Sequence, residues 1–293
     1  MIAEPYKIAL IQMRCSPNPE ESSEKAEKML RQAATDGAKI ACLPELFLTD
    51  YFCQKLDINK FDIAEPIPGE TSDALGKIAK ETGMVIIGSI YEKAAVGLHY
   101  NTATVTDSDG ELIGKYRKMH IPHDPMFEEK YYFAQGDLGF KAHNTSVGKI
   151  GALICWDQWF PEGARLTAMQ GAEILFYPTA IGWHPAEKAE FGEAQVSAWE
   201  TIQRSHAIAN GVFIAAVNRV GHEVIVGDGL EFFGHSFIAD PFGRILAMGS
   251  HDKEEIVTAT INPKLIEETR RNWPFFRDRR VDAYGGITQR WNE

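Results

Sequence analysis

Three side chains in this sequence carry complementary chemistry: a carboxylate at Glu45, an ammonium at Lys118 and a thiol at Cys155. A cysteine nucleophile needs a base within hydrogen-bond reach and a donor or cation beside the oxyanion that its attack creates. Glu, Lys and Cys supply one group for each task. Cys155 stands in Lys149-Ile-Gly-Ala-Leu-Ile-Cys-Trp-Asp-Gln-Trp-Phe-Pro-Glu162. This is an apolar run of strand length that ends on the thiol and breaks into an aromatic, acidic turn. Pro161 suits the first position of a helix, where its missing N–H costs nothing. Gly171 suits the position just past the helix end. The spacing predicts a strand, the cysteine, and a helix over 162–170. Such a bend is where a nucleophile elbow presents its side chain, and the nearby helix start is expected to lower the thiol pKa. A buried structural cysteine at a strand end fits the stretch equally well.

The elements that must position these groups alternate along the chain. Apolar runs predict strands over 6–13, 39–43, 84–91, 100–106, 112–117, 212–218, 234–239, 244–248 and 255–261. A further strand over 173–177 stops at Pro178, and a polar excursion follows to about Glu193. Helices are predicted from Asn18 to Gly37 and over 71–82, 194–210 and 263–272, with Asn18-Pro19-Glu20-Glu21 as a cap, a first-turn proline and first-turn acids. Residues 49–70 read as a loop. The long connection over 118–138 reads as functional, because structureless loops of that length are uncommon inside a compact domain. The alternation gives a mixed α/β fold, in which working residues gather at the carboxyl ends of strands. Glu45 follows the strand over 39–43, Lys118 follows that over 112–117, and Cys155 closes its own. Taken singly, the Glu also reads as a loop acid and the Lys as part of a solvated face. No repeat, low-complexity tract or linker divides residues 1–293, so a single domain is expected, with an Arg- and aromatic-rich tail from Trp273.

Composition narrows the partners. Hydrophobic residues at 44% and charged residues at 24% are those of a soluble globular protein. A net charge of −11 argues against nucleic acid, whose phosphates must be met by a Lys/Arg patch. It leaves room for a small cationic substrate. Four cysteines without a CxxC fit a reducing compartment. No signal-peptide pattern opens the chain, and no apolar run approaches the ~20 residues of a membrane span. A cytoplasmic protein with no membrane partner is expected. His120 and His123 are close together but lack a third ligand at a usual spacing, and Gly227-Asp-Gly229 is too short for a phosphate loop. No metal and no cofactor are expected.

Leu43-Pro44-Glu45-Leu46, Tyr116-Arg117-Lys118-Met119-His120-Ile121-Pro122 and Cys155-Trp156-Asp157-Gln158-Trp159-Phe160-Pro161-Glu162 resemble the three signature blocks of the nitrilase (carbon–nitrogen hydrolase) superfamily, in that family's order. The likeness continues through Tyr132-Phe133, Gly136-Asp137, Tyr177-Pro178-Thr179-Ala180 and Asp240-Pro241-Phe242-Gly243. The resemblance implies a four-layer α-β-β-α sandwich with sheets of mixed strand direction. It also implies a homo-oligomer, dimer or higher, with the tail over 273–293 at an interface. It makes Cys155 the nucleophile, Glu45 the base, and Lys118 an oxyanion partner beside the backbone N–H of Trp156. It places a second glutamate at Glu129, with Glu128 one position away.

Within the superfamily the second and third blocks look most like the branch that hydrolyses N-carbamoylputrescine to putrescine, ammonia and carbon dioxide through a thioester, in polyamine biosynthesis. The distal ammonium of that substrate wants a carboxylate, and the acid-rich segment over 183–193 offers Glu187 and Glu190. Tyr51 is expected to line the pocket or to pack on the core. A substrate ending in a carboxylate, such as N-carbamoyl-β-alanine, would use Lys188 or His184 instead. Hydrolysis of another amide or of a nitrile shares the same three residues. A non-catalytic scaffold is the remaining alternative, and the presence of all three residues speaks against it.

Overall fold

The first strand of the molecule buries both of its faces. A computed structural model describes residues 4–291, with strands β1–β15 and helices α1–α6 numbered along the chain. In β1 (Tyr6–Gln12), Ile8 and Leu10 join one apolar cluster while Ala9 and Ile11 join another. Side chains alternate across a strand, so a strand with apolar residues on both faces needs a packed layer on each side. On one side lie α1 (Pro19–Thr35) and α2 (Glu70–Thr82), which contribute Ala26, Leu30, Ala33, Leu75 and Ile78. The Asn18 side chain accepts the Glu20 N–H at 3.0 Å to start α1, and Gly83, at φ +67°, ends α2. On the other side lies a second sheet.

The first sheet runs β15 (Glu255–Ile261), β1, β2 (Ala38–Cys42), β3 (Val85–Ala95), β4 (Leu98–Thr106), β5 (Leu112–Arg117). The second runs β14 (Ile245–Met248), β13 (Phe237–Ala239), β10 (Phe213–Asn218), β8 (Ile174–Thr179), β7 (Lys149–Ala152), β6 (Ala142–Asn144). The two share one pairing pattern. In each, three central strands are parallel, β1-β2-β3 and β7-β8-β10, and the flanking strands are antiparallel. No sequence repeat signals this. The inner faces meet in the main core, where Ile8, Ile40 and Val85 face the cluster of Ile150, Ile174 and Ile214. Outside the second sheet pack α4 (Pro161–Met169) and α5 (Pro185–Asn210), through Ala164, Ala168, Trp199 and Ala207. The molecule is an α-β-β-α sandwich of mixed strand direction. A third, three-stranded sheet, β11 (Val220–Glu223), β12 (Leu230–Phe233) and β9 (Gly182–Trp183), stands apart from the two.

Three sequence expectations change. β8 does not stop at Pro178; it runs to Thr179, with Pro178 opposite Val217. Its other neighbour, β7, pairs only as far as Phe176, so the proline lies where one side of the strand has no partner and a missing N–H is tolerated. α5 starts nine residues earlier than expected: His184 caps it by accepting the Ala186 N–H at 3.2 Å, and Pro185 takes the first position. The segment over 183–193 is therefore strand end and helix, not a loop. The connection over 118–138 holds one helical turn, α3 (Glu129–Tyr132). After α6 (Lys264–Asn272) the tail forms two short turns with Trp273, Phe275 and Ile287 exposed. Residues 292 and 293 of the expected interface segment lie outside the described residues.

Candidate active site

Each of the three strand ends is shaped by contacts that fix its side chain. After β2, the Leu43 N–H still bonds Ile87 O at 2.9 Å, and the chain then turns at Leu46, a non-glycine residue at φ +48°. The Arg219 guanidinium, at the end of β10, holds this turn by donating to the carbonyls of Glu45 (2.7 Å), Leu46 (3.0 Å) and Thr49 (3.1 Å). After β5, the Lys118 N–H bonds Asn101 O at 2.8 Å. After β7, Leu153 N–H bonds Phe176 O at 3.0 Å, and Cys155 sits at φ +41° at the start of a tight turn spanning Cys155–Trp159. Left-handed non-glycine residues of this kind typically cost about 1–3 kcal/mol each and persist where the surroundings over-determine them.

Asp157 supplies much of that determination. Its fully buried carboxyl accepts the Ile154 N–H (2.9 Å) and Tyr116 O–H (2.8 Å) on one oxygen, and the His120 N–H (3.1 Å) on the other. That second oxygen also lies 2.7 Å from His120 Nδ1. One side chain thus joins the cysteine turn to the strand that bears Lys118.

Lys118 Nζ lies 2.7 Å from Glu45 Oε1 and 2.6 Å from Glu129 Oε2, and all three side chains are fully buried. Asn101 Nδ2 also donates to Glu45 Oε1, at 2.6 Å, whereas Glu45 Oε2 is buried with no partner. The Tyr51 hydroxyl donates to Glu129 Oε1 at 2.6 Å. The Cys155 Sγ–H makes only a weak 3.8 Å contact to Ala180 O.

Burial pushes the Glu129 carboxyl up to about 7, with Lys118 opposing the rise and Glu45 adding to it. Burial alone would lower the Lys118 pKa, but Glu129 and Glu45 outweigh it and hold the ammonium well above its ordinary value. The Cys155 thiol is also raised well above its ordinary value, first by burial and then by Glu45, against Lys118. This corrects the expectation of a thiol acidified by a helix start. The turn after Cys155 is a short 3₁₀ turn, and α4 begins only at Pro161, so the helix dipole is too far along the chain to offset desolvation. A neutral thiol needs a base to become a nucleophile, and Glu45 and Glu129 are the two carboxylates whose charge acts on this one.

Cys155 is 6% exposed and opens onto a cavity of about 590 Å³. Glu129 and Trp156 line it, with Pro125, Trp159, Phe191 and Phe233 as apolar walls. Asp124, His184 and Glu187 are its other ionisable lining residues, and among the described residues no Lys or Arg lines it.

Of the residues singled out in the sequence, Glu45, Lys118, Glu129 and Cys155 come together, and Trp156 adjoins them. Glu128 points elsewhere, to His123 at 3.1 Å, so Glu129 is the buried member of the pair. Tyr51 does not line the cavity; it is fully buried between Phe127 and Phe232 and holds Glu129 from behind. Glu187 lines the cavity, but Glu190, on an exposed part of α5, does not. Lys188 also turns away, pairing with Glu231 at 2.7 Å and lying over the Trp183 ring. Asp124, Asn101, Asp157 and Arg219 were not singled out. The strand-end rule points to Arg219, which directly follows β10, whereas nothing in the mixed polar and apolar sequence of β4 marks Asn101.

A family model described as carbon-nitrogen hydrolase matches residues 7–271. The chain is 42% identical over 282 residues to N-carbamoylputrescine amidase of Solanum lycopersicum, covering 94% of this chain and 93% of the relative. It is 37% identical over 286 residues to citrullinase of Francisella tularensis, covering 97% and 99%. A crystal structure of a carbon-nitrogen hydrolase from Helicobacter pylori G27 superposes with a TM-score of 0.95 at 43% identity, covering 99% of this chain and all of the other. The sandwich, the residues meeting at its strand ends and the match over most of the length lead to one conclusion: the chain belongs to the carbon–nitrogen hydrolase family and is an amide-hydrolysing enzyme.

Proposed function

We propose that the enzyme hydrolyses an N-carbamoyl amine, with N-carbamoylputrescine as the preferred substrate, through a covalent intermediate on Cys155, and that it serves polyamine formation. The observation that carries the substrate assignment is the charge inventory of the cavity: carboxylates at Asp124 and Glu187, beyond the Lys118-paired Glu129, and, among the described residues, no Lys or Arg along the lining. Such a wall favours a chain that ends in an ammonium over one that ends in a carboxylate. The identity of 42% to an N-carbamoylputrescine amidase supports the same choice. Of the two basic groups that an acid-ended substrate would use, Lys188 is held by Glu231, and His184, which lines the cavity, uses Nδ1 to cap α5.

In the proposed mechanism Glu45 Oε2 takes the thiol proton and Cys155 Sγ attacks the carbamoyl carbon. The oxyanion is met by the Lys118 ammonium and the backbone N–H of Trp156, the residue that follows the nucleophile. A donor in this position is typically worth ~10²–10³ in rate. Glu45 passes its proton to the departing nitrogen and ammonia leaves. Water then gives a proton to Glu45 and its oxygen attacks the thioester carbon. The thiolate is expelled and reprotonated, and the released carbamate decomposes to free amine and carbon dioxide. Glu129 holds Lys118 in place throughout.

Ammonia release from purified protein, given N-carbamoylputrescine and N-carbamoyl-β-alanine in parallel, tests this reading. Release from the first alone is expected. Release from the second alone would overturn the substrate assignment, and release from neither, with Cys155 still alkylatable, would overturn the carbamoyl reading itself.

A further inference from the structure

We propose that the same site also hydrolyses N-carbamoyl triamines, in which the carbamoylated chain carries an inner secondary ammonium and an outer primary one. This rests on the proposed carbamoyl-amine activity and extends its substrate class.

Room is the first argument. A cavity of about 590 Å³ falls inside the ~300–1,000 Å³ range that encloses drug-sized ligands. A carbamoylated short diamine is a single thin chain and leaves much of that space unfilled.

Charge is the second argument. A diamine derivative brings one ammonium, which needs one carboxylate, yet beyond Glu129, which is paired with Lys118, the cavity offers two from different elements. Asp124 comes from the connection after β5, and Glu187 from the first turn of α5. Their nearest basic neighbours in sequence are engaged elsewhere: His123 with Glu128 and Lys188 with Glu231. His184, the remaining basic group on the lining, uses Nδ1 to cap α5. Both residues are exposed. A triamine matches two charges to two.

The walls fit the same chain. Trp159, Phe191 and Pro125 line the cavity with apolar surface suited to methylene segments, and aromatic faces tolerate an ammonium passing over them. The chemistry is unchanged: one water is added, ammonia and carbon dioxide leave, and the free triamine remains.

The test compares steady-state ammonia release from N-carbamoylputrescine and from spermidine carbamoylated on its four-carbon arm, by wild type and by the Asp124→Asn/Glu187→Gln double variant. For wild type, kcat/KM for the triamine is expected within about tenfold of that for the diamine. In the double variant the triamine-to-diamine ratio of kcat/KM is expected to fall by roughly three- to fivefold, the range for a solvent-accessible ion pair. Good turnover of the diamine with triamine activity more than about tenfold lower overturns this inference and leaves the proposed function standing. Turnover of neither overturns both. An unchanged ratio in the double variant overturns the recognition by Asp124 and Glu187.

Discussion

The two glutamates that flank Lys118 differ in what their second oxygen meets. Glu129 Oε1 takes the Tyr51 hydroxyl, whereas Glu45 Oε2 has no partner. In the proposed mechanism this difference leaves Glu45 to receive the proton and Glu129 to hold the ammonium. Both Glu129 oxygens accept hydrogen bonds, which favour the ionised carboxylate, while burial pushes its pKa up to about 7. On the acid side kcat/KM is expected to fall as Glu129 takes up a proton, with a midpoint near 7. The sign for stability is opposite. A carboxyl whose folded pKa lies above its unfolded one binds its proton more tightly when folded, so its contribution is complete below the ordinary value of 4.5 and is lost as pH rises towards 7. Tyr51→Phe removes a donor that favours the charged form. It should move the acid limb to higher pH and lower kcat/KM at neutral pH by about tenfold, within the range for a hydrogen bond to a charged group. A pH–rate profile of the variant checks this; an unmoved limb would rule out the role given to Tyr51.

At the scale of elements, the site is made by joining strand ends. Asp157 ties the cysteine turn to β5, and Arg219 ties the base-bearing turn to β10. Asp157→Asn replaces an acceptor oxygen with an amide that faces N–H and O–H donors. It should lower unfolding free energy by about 2–3 kcal/mol, the scale of a buried hydrogen-bonding mismatch. It should also reduce kcat more than it raises KM, because Lys118 and Cys155 lose their mutual register. Denaturant melts together with steady-state kinetics measure both, and a stable variant with wild-type kcat would contradict the clamp. The same elements show what was legible in the sequence. The rule that chemistry gathers at strand ends brought out Glu45, Lys118 and Cys155 because each closely follows a short run of strand-forming residues, Ala38–Cys42, Leu112–Arg117 and Lys149–Ala152. The family resemblance added Glu129, which no periodicity marks. The start of α5 was missed for a physical reason. Glu187, Phe191, Ala194, Gln195 and Ala198 recur at helical spacing, but that stripe faces the cavity, not the core, and so mixes polar with apolar residues. The strands β9, β11 and β12 are short and lie outside the main sheets, and an apolar pattern of sheet-core type does not mark them. Asp124 stood in a polar connection with nothing local to distinguish it.

Across the whole molecule, fold and chemistry are separable. The two sheets are held by strand pairing and by a core in which Cys155 is a marginal member, at the wall of the cavity. They meet near the site, where the Glu45 N–H reaches Thr179 O at 3.4 Å from one sheet to the other. Removing the thiol leaves every strand pair and the Glu45–Lys118–Glu129 contacts in place. The most direct measurement is therefore ammonia release from N-carbamoylputrescine by wild type and by Cys155→Ala, with circular dichroism and thermal melts on both. Cys155→Ala is expected to keep the wild-type spectrum and to lose at least ~10³-fold in kcat, as enzymes do when their nucleophile is removed. A folded Cys155→Ala protein that releases ammonia at a rate near that of wild type would contradict the assignment of Cys155 as the nucleophile.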